Sequence, residues 1–121
     1  MQKRDKNRIL LELSASQFNE KIINNWGSIY TKKCDYLYNK IKRFFVGTKA
    51  LELGSADGVM TAKICKDFSE VTAVDGSIKF LNIIGEKIKK KNLKLIHSLF
   101  EDYNTKERYD VIFATHILEH L

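Results

Sequence analysis

The sequence predicts an α/β fold: a parallel sheet with flanking helices and spatial strand order 3-2-1-4. Three observations predict it. From residue 49 onward, short apolar runs alternate with longer amphipathic stretches, the pattern of βαβ units. The first run breaks at a glycine turn, Gly54-Ser55-Ala56-Asp57-Gly58, just before an amphipathic stretch from Val59. Acidic residues stand at the ends of the first two runs, Glu52 and Asp75.

Residues 1–8 are polar, and Ile9 to Leu13 is a short apolar run. Ser14 and Gln17 have capping-box spacing, and Phe18, Ile22 and Trp26 recur at helical intervals. These predict a helix over 15–25, ended by Gly27. A second helix is predicted over 31–46. Leu37, Ile41, Phe44 and Phe45 share one face there, and Gly47 follows as a C-cap. Tyr30, Tyr36 and Tyr38 read as packing residues. Residues 1–47 thus form an N-terminal helical segment packed on a domain of residues 48–121.

Strand one is predicted at 49–53, followed by a helix at 58–68 with Met60, Ile64 and Phe68 on one face. Strand two is Val71 to Val74 and ends at Asp75. A helix then starts beyond Ser77, with Ile78, Leu81, Ile84 and Ile88 on its buried stripe. Strand three is 93–96. Residues 98–108 form a polar loop carrying Phe100-Glu101-Asp102-Tyr103, strand four is 109–114, and a last helix begins at His116.

Right-handed crossovers put strand one in the interior, with two and three on one side and four on the other. The gap between strands one and four is then the switch point, where ligands bind outside the carboxyl ends of the strands. Glycines suit the turn there because it needs positive φ or a close approach to backbone. Glu52 beneath it would repel a pyrophosphate but favour an amine, a sulfonium or ribose hydroxyls. Asp75, seventeen positions past Gly58, is placed to grip both hydroxyls of a ribose. Phe100, Glu101 and Asp102 come from the loop beside an attached base. Thr115 and His116 border the same crevice.

Composition narrows the classes. The chain has 121 residues, 44% hydrophobic and 30% charged, the balance of one globular domain. No apolar run is long enough to span a bilayer, and no signal-peptide pattern follows the basic start. Cys34 and Cys65 lie far apart without metal-ligand spacing, as reduced thiols of a cytoplasmic protein would. Net charge is +6. Its main cluster, Lys87, Lys89, Lys90, Lys91 and Lys94, has no interleaved aromatics, which favours a solvated helix end over a nucleic-acid surface.

From Lys49 to the C-terminus the residues resemble the class I S-adenosylmethionine-dependent methyltransferases, in their small-molecule branch. Leu51-Glu52-Leu53-Gly54-Ser55-Ala56-Asp57-Gly58 resembles the family's first motif, and Val74-Asp75-Gly76-Ser77 its second. Phe100-Glu101-Asp102-Tyr103 resembles the loop along adenine. Tyr109 to Leu121 is similar to strand four and its helix. The resemblance implies a Rossmann-like sheet, S-adenosyl-L-methionine as cofactor and methyl transfer to a small molecule. It implies that Gly54, Ser55 and Gly58 contact the methionine moiety and Glu52 its amino end. Asp75 would hold the ribose, Phe100 and Glu101 would flank adenine, and the Thr115 backbone would pass the sulfonium. Ala56 departs from the pattern, where many members carry glycine. Family domains also continue for about three more strands, so the resemblance implies a chain truncated after strand four. Its open strand-four edge would then suit a partner chain or self-association.

Other readings compete. His116 is the one nearby general base, although a histidine at a strand end also serves as a hydrogen-bonded wall. His116-Ile117-Leu118-Glu119-His120 spells the inverted zinc-protease pattern, and Glu119 with His120 could take a divalent ion; no metal site is assigned. A non-catalytic cofactor-binding fragment or partner subunit is a second reading. A nucleotide-binding oxidoreductase is a third, opposed by Glu52 and the missing third glycine.

Overall fold

The computed structural model describes Lys6 and residues 29–115. The helix expected over 15–25 and the one expected from His116 lie outside the described residues. Four strands form one sheet: β1 (Lys49–Leu53), β2 (Glu70–Asp75), β3 (Leu93–His97) and β4 (Val111–Phe113). Their order is β3-β2-β1-β4 and every pairing is parallel, as expected. The described helices are α1 (Ile29–Ile41), α2 (Val59–Asp67) and α3 (Ile78–Lys87), with a 3₁₀ turn at Lys42–Phe44.

Position in the sheet explains strand composition. β1 bonds to β2 on one side and β4 on the other, and its middle residues are buried. β2 is buried from Val71 through Asp75. β3, bonded only to β2 among the described strands, is half-buried or exposed throughout. A strand covered on both faces tends toward apolar residues, and β1 and β2 follow this except at the buried Glu52, Thr72 and Asp75.

The helices pack through one stripe each. Met60 and Ile64 of α2, with Phe68 just beyond, are buried as expected. On α3, Leu81, Ile84 and the following Ile88 are buried, but Ile78 is exposed and Phe80 takes its place. The reason is helix geometry: at about 100° per residue Phe80 lies on the face of Ile84 and Ile88, and Ile78 is turned well away from it. Ser77 Oγ accepts the Phe80 N–H at 3.3 Å and caps the helix. Gly58 has φ +88°, and a Cβ there would come 2.8 Å from Ile84 Cγ1. The start of α2 therefore approaches α3 as closely as backbone allows.

An aromatic cluster ties α1 to the sheet. Tyr38, Phe45, Phe68 and Phe113 pack with ring centroids 5.1–6.5 Å apart, mostly edge-on or tilted. The Tyr38 hydroxyl donates to the Lys63 carbonyl at 3.1 Å and also to Asp67 on α2. Tyr38 is thus a packing residue as expected, whereas Tyr36 is 67% exposed and is not.

Two expected boundaries differ. The second helix ends at Ile41 and tightens into the 3₁₀ turn instead of running to 46, which turns Phe45 inward to the aromatic cluster. Gly47, at φ +71°, is then a loop residue whose missing Cβ leaves room for the Asp110 carboxyl group. Asp110 Oδ2 accepts the N–H groups of Thr48 at 2.8 Å and Lys49 at 3.0 Å. Those two donors hold its carboxyl below the usual range. This latch also shortens strand four, expected over 109–114, to Val111–Phe113.

Ile64 is fully buried in the centre of the core. Ile64→Ala is expected to lower unfolding stability by about 2–5 kcal/mol, measured by urea denaturation; an unchanged midpoint would refute its central role.

Candidate functional site

The site is built at the carboxyl ends of β1 and β2. Alternation along β1 sends Ala50 and Glu52 toward the helices and Leu51 and Leu53 to the opposite face. Glu52 is therefore directed beneath α2 and is only 1% exposed. The Thr61 hydroxyl, in the first turn of α2, donates to Glu52 Oε1. Oε2 has no hydrogen-bond partner among the described residues, and neither does the buried Oδ1 of Asp57.

Burial pushes the Glu52 carboxyl up to about 8. The Thr61 hydrogen bond opposes that shift, and the Asp75 and Asp57 carboxylates reinforce it. Asp57 is raised too, chiefly by burial, with the Val59 N–H and the more distant Lys87 acting against the rise. Asp75 is raised by burial against its hydrogen bonds. Asp57 and Asp75 thus both lie close enough to Glu52 to disfavour its charge.

The turn between them alternates handedness. Gly54 has φ +82°, Ala56 +47° and Gly58 +88°. Gly54 N–H donates to the Val74 carbonyl at 2.8 Å, and Gly58 N–H to the Ser55 carbonyl at 3.0 Å. Ala56, where the resemblance leads one to expect glycine, holds a left-handed conformation rare for a residue with a side chain. Its N–H donates to Asp75 Oδ2 at 3.1 Å, and the Ser55 hydroxyl reaches the same oxygen at 3.4 Å. Asp75 Oδ1 accepts the Ser77 N–H at 2.8 Å. In this structure Asp75 is buried and fastens the turn.

The loop after β3 is anchored beside it. Ser98 N–H donates to the Asp75 carbonyl at 3.0 Å. Leu99 is buried, and its carbonyl accepts the N–H groups of Asp102 and Tyr103 in a tight turn. That turn presents Phe100 half-buried and Glu101 exposed. Glu52, Ser55 and Asp75 are thus brought together, with Phe100 and Glu101 on the neighbouring loop. Thr115 lines a separate apolar recess of about 240 Å³ with Ile41, Phe44, Phe45, Ile112 and Phe113. His116, Glu119 and His120 lie outside the described residues.

Two residues of the site escaped sequence reasoning. Asp57 passed as a turn residue. Thr61 was overlooked, yet it lies three residues before Ile64 on the apolar stripe of α2, where a hydroxyl needs a partner. That signal was available. Among the described residues no three His, Cys, Asp or Glu side chains converge as metal ligands.

A family model described as a methyltransferase domain matches residues 50–121, more than half of the chain. The chain belongs to the methyltransferase domain family. This methyltransferase domain is 31% identical over 80 residues to (S)-coclaurine N-methyltransferase of Thalictrum flavum subsp. glaucum, covering 62% of this chain and 22% of that protein. Its fold matches N-methyltransferase NodS of Bradyrhizobium japonicum WM9 in complex with S-adenosyl-L-homocysteine, with TM-score 0.69 and 16% identity over 88% of this chain and 54% of that one. It also matches the DhpI complex with SAM and HEP, with TM-score 0.67 and 19% identity over 94% of this chain and 51% of that one. The chain spans about half the length of these solved relatives.

The raised Glu52 pKa has a stability consequence. The folded state holds a proton that the unfolded state has released, so this stability is full below the ordinary carboxyl range and is lost as pH rises toward about 8. Asp57 and Asp75, shifted the same way, add to the lower part of that window. Urea unfolding of the ligand-free domain should therefore weaken from mildly acidic to mildly basic pH by on the order of a few kcal/mol. Glu52→Gln should flatten much of that slope; an equally steep variant would refute the assignment.

Proposed function

We propose that this chain binds S-adenosyl-L-methionine at the β1–α2 turn and transfers its methyl group to a small-molecule acceptor. The observation that carries this reading is the gathering of Glu52, Asp57 and Asp75 beneath that turn, with two buried carboxylate oxygens lacking partners among the described residues. Buried anions are costly unless paired. A ligand bearing an ammonium and a sulfonium relieves that cost, whereas a pyrophosphate would add to it. Family membership supports the reaction class. The S-adenosyl-L-homocysteine held by NodS and the SAM held by DhpI support the cofactor.

When bound, the cofactor supplies a methyl group already activated by positive sulfur. The residues' task is to orient it and exclude water. Gly54, Ser55 and Gly58 line the methionine moiety, and Glu52 faces its amino end. Asp75 would hold the ribose hydroxyls through the carboxylate that also accepts the Ala56 N–H, the Ser55 hydroxyl and the Ser77 N–H. Phe100 and Glu101 flank adenine, and the Thr115 backbone borders the sulfonium. His116 serves as general base for acceptors that must lose a proton early.

In this reading residues 48–121 form the cofactor half, and α1 packs against it through the aromatic cluster and the Tyr38 hydroxyl. The small-molecule N-methyltransferase relative supports a small acceptor. Cys34 and Cys65, both buried and neither in a disulfide, support a reducing compartment such as the cytoplasm. Among the described strands β4 lies at the edge of the sheet, and in this reading that edge, beside the exposed Ile112 and Phe44, takes a partner chain or a second copy.

Isothermal titration with S-adenosyl-L-methionine is expected to show saturable binding, weakened about tenfold to a hundredfold in Asp75→Ala. No heat from a folded domain would overturn the reading. Production of S-adenosyl-L-homocysteine with a panel of small amines, above the rate without acceptor, would separate turnover from binding alone.

A further inference from the structure

We infer that Thr61 is a positioning residue for the cofactor's amino end, its hydroxyl engaging one oxygen of Glu52 so that the other remains the acceptor for the ligand's ammonium. The inference rests on the cofactor reading above. Thr61 is fully buried on the first turn of α2 and donates to Glu52 Oε1, while Oε2 is buried without a partner among the described residues. A carboxylate with one oxygen engaged cannot rotate freely. Its second oxygen is fixed at one place beneath the turn, where a buried water can extend its reach to the ligand.

The same hydrogen bond stabilises the ionised form of Glu52. The groups acting on Glu52 are few. Thr61 and Cys65 face it from α2, Asp57 from the turn and Asp75 from the end of β2. Lys87 and Lys90 act at one remove, on Asp57 and Cys65 respectively. With three acids close together and no lysine among its direct influences, Glu52 depends on the Thr61 hydroxyl to carry charge. Removing the hydroxyl raises the affinity of Glu52 for its proton, so an ammonium must displace a more tightly held proton than in the wild type in order to bind.

Thr61→Val keeps the shape of the side chain and removes the donor. Thr61→Ser keeps the donor. Binding of S-adenosyl-L-homocysteine and of methylthioadenosine, which lacks the amino acid portion, would be measured by titration calorimetry across neutral and basic pH. Thr61→Val should bind S-adenosyl-L-homocysteine about tenfold more weakly at neutral pH, with a smaller deficit at basic pH. Its methylthioadenosine affinity should stay at the wild-type level, and Thr61→Ser should restore most of the loss. In a Glu52→Gln background, Thr61→Val should have little further effect. Equal loss of both ligands, or a deficit independent of pH, would overturn the positioning role and leave the cofactor reading standing. Wild-type protein that binds neither ligand would overturn both.

Discussion

The carboxylate of Asp75 is the interaction on which the site depends. Its two oxygens take the N–H groups of Ala56 and Ser77, with the Ser55 hydroxyl alongside. One side chain thereby joins the turn after β1 to the turn after β2. Its own carbonyl accepts Ser98 N–H, which brings in the loop after β3. Three consecutive strand ends are registered on a single residue. The N-termini of α2 and α3 are aligned by the same contacts, because Ser77 caps α3 and the Ser55 carbonyl closes the turn into α2.

This order is bought with electrostatic strain. Glu52, Asp57 and Asp75 are all buried and all shifted toward their protonated forms. Their hydrogen bonds offset the desolvation only in part. Such a cluster is poorly explained as a device for stability, since well-packed apolar residues would serve the fold better. In the function proposed here it is a preorganised complement to positive charge, in which the domain carries the unfavourable interaction until a ligand resolves it. The apolar side of the molecule is built on the opposite principle. Tyr38, Phe45, Phe68 and Phe113 interlock without charge, and only the Tyr38 hydroxyl reaches a polar partner.

Much of this was legible from local pattern. The turn from Gly54 to Gly58 announced a strand-to-helix junction, and the acids at 52 and 75 announced the polarity of the crevice. Strand order followed from alternation and crossover handedness, which are general properties of right-twisted chains. What was not legible depended on contacts between distant segments. Gly47 looked like a helix C-cap because it follows an apolar stripe, yet its conformation serves Asp110, more than sixty residues away. Ile78 fits a helical stripe through Leu81, but the docked face of α3 runs through Phe80, Ile84 and Ile88 and leaves Ile78 exposed. Strand four was read too long because Tyr109 and Asp110 continue an apolar-rich run, whereas the Asp110 carboxylate turns back to bond β1.

By itself the sequence determined the class of fold, the order of its strands, and the presence of acids where a phosphate-binding turn would have none. Those features depend on hydrophobic period, glycine placement and charge, all local in the chain. Only the tertiary structure decided the direction and partners of those acids. The pleat of β1 sends Glu52 beneath α2, Thr61 takes one of its oxygens, and the turn closes on Asp75. The physical reason is that hydrogen bonding and desolvation act over a few ångströms between residues far apart in sequence, and no local pattern encodes which pair will meet.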